Sequence, residues 1–265
     1  MENFSNSHLK YLKKERNKTI FIHVVRISVL VFALALWEIL SFFNIIDPFI
    51  MSSPSRIVVT LVDLFKNGNL VFHIGVTLFE TLVGFAIATT VGTFVGFLNW
   101  YSDFLNKVTE PYLVILNSLP KIALGPIIII WCGAGYNAII AMTVLICIIT
   151  TIITVQDAFL SVPQEKIQLL RGMGASKLDI FKKLIFKASL PTTITMLKIN
   201  VGLSFVGSIM GEYLVSRFGL GYLIVYGGQV FKLDLVLACT IVLMILAGII
   251  YYLVSLLERL VIRYK

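Results

Sequence analysis

Residues 121–157 read KIALGPIIIIWCGAGYNAIIAMTVLICIITTIITVQD, and the 35 residues between Lys121 and Asp157 carry no charge. A membrane-spanning helix needs about 20 apolar residues, so this run is too long for one crossing. Gly133-Ala134-Gly135-Tyr136-Asn137 supplies a turn that divides it. One span is expected at about 112–131, broken by Pro120, Lys121 and Pro126, and another at about 138–158. Both are uniformly apolar rather than alternating. Lipid satisfies backbone polar groups only in helices or closed barrels, and alternation is the mark of barrel strands. The stretch therefore reads as helix.

Working outward, the same reading gives spans at about 20–46, 74–98, 194–215 and 235–257. The expected fold class is an all-α membrane protein with six transmembrane helices. Composition agrees: of 265 residues, 58% are hydrophobic and only 14% charged, with mean hydropathy +0.94. A soluble domain carries roughly a quarter charged residues, and a disordered chain needs low hydrophobicity. The apolar stretch at 20–46 exceeds the roughly 7–15 residues of a signal-peptide core. Arg56–Lys66 has apolar residues at periods of three and four, a short helix lying at the membrane surface.

The formal charge of +8 sets orientation rather than pointing to nucleic acid. With both termini inside, cytoplasmic segments hold 15 of the 22 Lys and Arg residues, and the outer segments hold four. Basic residues concentrate on cytoplasmic loops. A basic cytoplasmic segment, 1–19, is thus expected before a transmembrane domain, 20–265, with a long cytoplasmic loop at 159–191. The cysteines Cys132, Cys147 and Cys239 show neither metal nor disulfide spacing. No bound cofactor or metal is expected.

Gly84, Ala88, Gly92 and Gly96 recur every four residues, on one face of a helix. Such a face lets helices approach closely; it suits packing within the chain or an interface between subunits. Gly207 and Gly211 repeat the spacing. Glu38, Glu80 and Lys198 fall near or within spans, as snorkelling groups or structural pairs. Glu212 stands before the glycine-rich stretch 217–228, either as a structural charge or facing a watery path. Asn117, Ser118, Ser204, Ser208 and Glu212, on the third and fifth spans, are the candidate path-lining residues.

The loop at 159–191 carries the most information. Ser161-Val162-Pro163-Gln164-Glu165 is a helix-start pattern, with apolar positions at Ile167, Leu169, Leu170 and Met173. Gly172 and Gly174 interrupt it. Ser176-Lys177-Leu178-Asp179 opens a second helix as a cap with an acid three residues on. Two short helices meet at a glycine turn. The first presents a leucine pair, which either docks into a partner's groove or packs on the chain's own helices.

This loop resembles that of permease subunits of binding-protein-dependent ABC importers, where Glu-Ala-Ala is followed after three residues by Gly and later by Leu-Pro. Gly174 matches; Gln168, Leu169 and Leu170 stand in place of Glu-Ala-Ala; Phe186-Lys187 replaces the first Leu-Pro, and Leu190-Pro191 is similar to the second. The stretches 48–55 (PFIMSSPS), 117–131 (NSLPKIALGPIIIIW) and 218–224 (FGLGYLI) resemble the nitrate/sulfonate/taurine-type branch, in the same order along the chain. The resemblance implies a type I permease fold in the inner (plasma) membrane and a homodimer enclosing one path. It implies two copies of a cytoplasmic ATPase, an external solute-binding protein, and a small anionic solute such as a sulfonate, nitrate or taurine. Residues 168–171 (Gln168, Leu169, Leu170, Arg171) and 173–176 (Met173, Gly174, Ala175, Ser176) would form the ATPase-coupling turn. Independently, no glycine in the chain precedes a lysine, so it holds no phosphate loop of the Gly-x-x-x-x-Gly-Lys type. ATP would enter through the partner, and the chain itself is not an enzyme. An ion-coupled secondary transporter is the alternative; it calls for mid-membrane acids or broken helices. A serine or zinc hydrolase lacks its base and ligands, since all three histidines precede Ser204 and no His-Glu-x-x-His occurs.

Overall fold

The computed structural model describes residues 6–261, and every regular element among them is helical. Met1–Ser5, Arg263 and Lys265, which belong to the basic ends counted above, lie outside the described residues. Helix α1 spans Asn6–Phe42, so the basic segment from residue 6 and the first apolar stretch form one continuous rod. The chain offers no helix breaker there: the first is Asn44, at φ 56°, followed by Asp47-Pro48. Helix α1 lies mainly against the short α2 (Pro48–Met51) and α3 (Pro54–Asn67).

Helix α3 is the amphipathic surface helix, and its N-terminus is tied from three sides. The Ser53 hydroxyl accepts from the Arg56 N–H at 3.4 Å. The Glu38 carboxylate of α1 accepts from the Ser55 N–H at 3.0 Å and hydroxyl at 2.7 Å. Arg56 pairs with Asp234 at 2.8 Å. An acid at a helix N-terminus meets unpaired N–H groups and the positive end of the dipole. Glu38 is therefore a capping group.

The centre of the molecule is three long helices: α4 (Leu70–Tyr101), α7 (Tyr136–Leu160) and α10 (Phe186–Val215). Helix α7 lies between the other two. Its neighbours approach it through their small residues. A methyl group built on Gly84 of α4 would stand 2.6 Å from the Thr143 Cβ, and one on Gly207 of α10 would stand 2.6 Å from the Thr143 Cα. Gly92 meets Thr151, Gly96 meets Val155, and Gly211 meets Ile139 in the same way. Ala88, between the glycines of α4, is fully buried. In lipid, where apolar surface gains little by leaving its solvent, such contact dispersion is what holds helices together. Within the chain, the four-residue stripe therefore faces α7.

Between α4 and α7 the chain makes its irregular excursion. Helix α5 (Asp103–Ser118) ends at Leu119-Pro120; a 3₁₀ turn, Lys121–Leu124, leads into α6 (Gly125–Cys132). The two arms are bent by 89°. Proline bars the preceding residue from helical geometry, and Leu119 is extended, at φ −69° and ψ 140°. The third span is thus an angled pair, and its first arm starts nine residues before the expected boundary. Among the described residues, five helices are long and apolar enough to cross a membrane, and the bent pair taken as one span brings the number to six.

The chain ends in α11 (Leu220–Gln229) and α12 (Leu233–Val261), which pack on each other and on α10 around Phe205, Leu220 and Cys239. Lys198 of α10 pairs with Glu258 of α12 and lies 5.7 Å from the Tyr251 ring centre. It is a structural pair on the flank of the core.

Candidate functional site

Two polar features stand out, at opposite ends of the three-helix core. The first is the loop between α7 and α10. Helix α8 runs Gln164–Gly172. Gly174, at φ +83°, closes it: its N–H donates to the Arg171 carbonyl at 2.9 Å, and the Ala175 N–H donates to the Leu170 carbonyl at 3.0 Å. This is the paired 5→2 and 6→1 closure of a helix by a left-handed glycine. The apolar contact that accompanies it is present, since Leu170 and Ala175 pack on the same cluster. Ser176 then caps α9 (Lys177–Ile180): its hydroxyl accepts from the Asp179 N–H, and the Asp179 carboxylate accepts from the Ser176 N–H. A π-helical turn, Phe181–Ile185, joins α9 to α10 without a break.

The leucine pair divides. Ile167 is buried and Leu170 half-buried against the core, whereas Leu169 is 67% and Met173 75% exposed. Leu169 and Met173 are four residues apart, on one helix face. Gln168, Arg171, Gly174 and Ser176 are also exposed, and Ala175 is half-buried. Behind this face, Phe181 is the joint: its ring lies 4.6 Å from Phe97 and 5.1 Å from Trp100 on α4, and 5.3 Å from Phe159 on α7. Displacing α8 and α9 therefore pushes on both long helices at one place.

The second feature is a buried polar seam at the other end. Glu212, 1% exposed, accepts from the Thr77 hydroxyl at 2.6 Å and from the N–H groups of Gly221 at 2.6 Å and Tyr222 at 3.3 Å. The Leu220 N–H donates to the Thr77 hydroxyl at 2.8 Å, and the Gly219 N–H to His73 Nδ1 at 3.0 Å. Glu80 is fully buried beside Glu212. These contacts fasten the turn between α10 and α11 onto α4. Gly219, at φ +103°, and Gly221 have no space for a side chain, because the Glu212 carboxyl occupies it. That is the physical content of the FGLG stretch.

The five candidate path residues do not share one surface. Ser204, Ser208 and Glu212 lie buried inside the chain's own helix packing: Ser208 bonds Thr81 at 2.7 Å, and Ser204 bonds the Asn200 carbonyl at 2.7 Å and lies 3.3 Å from the Cys147 sulfur. Asn117 and Ser118 are exposed at the end of α5; Asn117 accepts from Lys121 at 3.3 Å, and Ser118 donates to the Val114 carbonyl at 3.0 Å. Sequence reasoning overlooked Thr77, Thr81, His73 and Asn200. The first two were within reach, because positions 77, 81, 84, 88, 92 and 96 form one continuous stripe.

The chain matches the model of the family described as binding-protein-dependent transport system inner membrane component over residues 88–263. It is 32% identical over 190 residues to the formylaminopyrimidine transport permease protein ThiX of Halalkalibacterium halodurans, covering 71% of this chain and 75% of that one. It is 24% identical to the taurine transport system permease protein TauC of Escherichia coli, covering 83% and 82%. Among solved structures, an inward-facing form of the MetNI methionine ABC transporter shares the fold, with a TM-score of 0.66 at 23% identity, over 72% of this chain and 95% of that one.

Proposed function

Because this chain belongs to the family of binding-protein-dependent transport system inner membrane components, we propose that it forms the solute path of an ATP-driven importer and receives its driving force through α8. It is a transport permease, a multi-pass component of the inner membrane. The observation that carries the coupling role is the outward face of Leu169 and Met173, held rigid by the Gly174 turn and backed by the Phe181 joint. An exposed apolar pair on a fixed helix fits a groove on a separate ATPase. Closure of two ATPase copies would then rock the attached α4, α7 and α10 between inward- and outward-facing states.

In this reading both termini face the cytoplasm, a second copy of the chain completes the path, and an external binding protein delivers the solute to the end where Glu212 fastens α11. ATP is bound by the partner alone. The test is disulfide trapping in the assembled complex. Cysteines at 169 or 173 should crosslink to a cysteine series along the ATPase groove and block uptake reversibly. Absence of crosslinks at every pairing removes the docking role.

The relatives support two readings of the solute. The taurine permease supports a small sulfonate. The higher identity to a formylaminopyrimidine permease favours a second reading, a small heterocyclic amine. Uptake of labelled taurine and, in parallel, of a labelled aminopyrimidine separates the two.

A further inference from the structure

We propose that the cleft between the loop helices and the α4–α5 corner is a binding site for an anionic phosphate group, a site beyond the ATPase-docking face. The cleft has a volume of about 260 Å³. Trp100 at the end of α4 and Asp103 at the start of α5 form one wall. Gln164 and Arg171 of α8 and Lys177 of α9 form the other.

Charge points to the ligand. The two cations come from different helices and converge on one small space. Lys177 is half-buried, its ammonium 5.7 Å from the Trp100 ring centre and 5.3 Å from that of Tyr101. Among the described residues, neither Arg171 nor Lys177 lies within ion-pair distance of a carboxylate. Asp103 is the one acid on the wall. The surrounding loop, 159–191, holds six basic residues against two acidic ones, which keeps the local field positive. A guanidinium fork binds phosphate oxygens through two parallel bonds, an ammonium adds a point charge, and an amide such as that of Gln164 adds a donor.

Position adds to this. Trp100 and Tyr101 end the apolar helix Leu70–Tyr101, and aromatic residues mark the level of lipid headgroups. The phosphate can therefore come from an anionic lipid or from free solution, with the same partners. Bound there, it ties α8 and α9 to the α4–α5 corner. It does so on the flank of α8 rather than on the face carrying Leu169 and Met173.

The chain has three tryptophans, Trp37, Trp100 and Trp131, so Trp37→Phe with Trp131→Phe makes Trp100 the sole reporter. The full-length variant is placed in phosphatidylcholine nanodiscs and titrated with inorganic phosphate at constant ionic strength, chloride balancing. A parallel series raises the phosphatidylglycerol fraction. A saturable change in Trp100 emission is expected in at least one series. Saturation with phosphate identifies the free ion; saturation with phosphatidylglycerol alone identifies the headgroup. Lys177→Gln should shift the midpoint about tenfold upward, and Asp103→Asn should shift it downward. No saturation in either series, or midpoints unmoved by both substitutions in monodisperse protein, overturns the site. Lys177 lies outside the coupling turn 168–176 and its substitution leaves Leu169 and Met173 in place, so loss of this site and loss of ATPase docking are read separately.

Discussion

At the scale of single residues, the core is decided by where a side chain is missing. Gly207 and Gly202 lie five residues apart on α10, yet a methyl group on Gly207 would collide with the α7 backbone at Thr143, while one on Gly202 would meet nothing within 4 Å. Gly207→Val is expected to destabilise the detergent-solubilised protein by about 1–3 kcal/mol through overpacking, read as a lower melting temperature. Gly202→Ala should be neutral or raise it, because alanine is the better helix former by about 1 kcal/mol. Thr77 gives a second test. Its hydroxyl donates to Glu212 and accepts from the Leu220 N–H, so Thr77→Val leaves two buried groups each short of a partner. A loss of about 1–3 kcal/mol for each such group is expected. Protection of the Gly219–Tyr222 amides from hydrogen exchange should fall before that of α7.

At the scale of elements, the loop between α7 and α10 is the part whose sequence spells out its shape. Helix start, glycine closure and capping box are all local signals, each written within four to six residues, and each is found in place. Gly174→Pro fixes φ near −65° where +83° is needed and deletes the N–H that bonds Arg171. The variant should still reach the membrane while ATP hydrolysis proceeds without uptake, measured side by side in proteoliposomes. Gly172→Ala, with open space around it, is the control and should transport normally. Other elements were less legible for physical reasons. The bend at Leu119–Pro120 was visible as a proline pair, but its 89° angle depends on how α6 packs against α7, which no local signal encodes. Helix α10 begins at Phe186 and runs on through Pro191, ahead of the span expected from 194, with Ser189 and Ile194 buried on either side of the proline. The facing of Ser204, Ser208 and Glu212 required knowing that α10 lies against both α4 and α7, a fact of tertiary arrangement.

At the scale of the whole molecule, the buried and exposed apolar surfaces divide the labour. The core helices bury their small-residue faces, whereas α1 from Ile20 to Phe42 buries almost nothing. Val114, Ile115, Ile130 and Trp131 on α5 and α6 are also exposed. Such surface is covered by lipid or by a second copy. The purified chain is expected to be dimeric in mild detergent, and single-molecule mass measurement checks this; a monomer at all concentrations counts against one path shared by two copies.

The way α7 is gripped has a mechanical corollary. Thr143 is touched from one side by Gly84 and from the other by Gly207, with no slack for either neighbour to creep past it. A screw held between two jaws cannot be turned without turning the vice. Alternation of access that keeps these contacts is a tilt of the clamped trio as one solid piece rather than a slide of one helix along another.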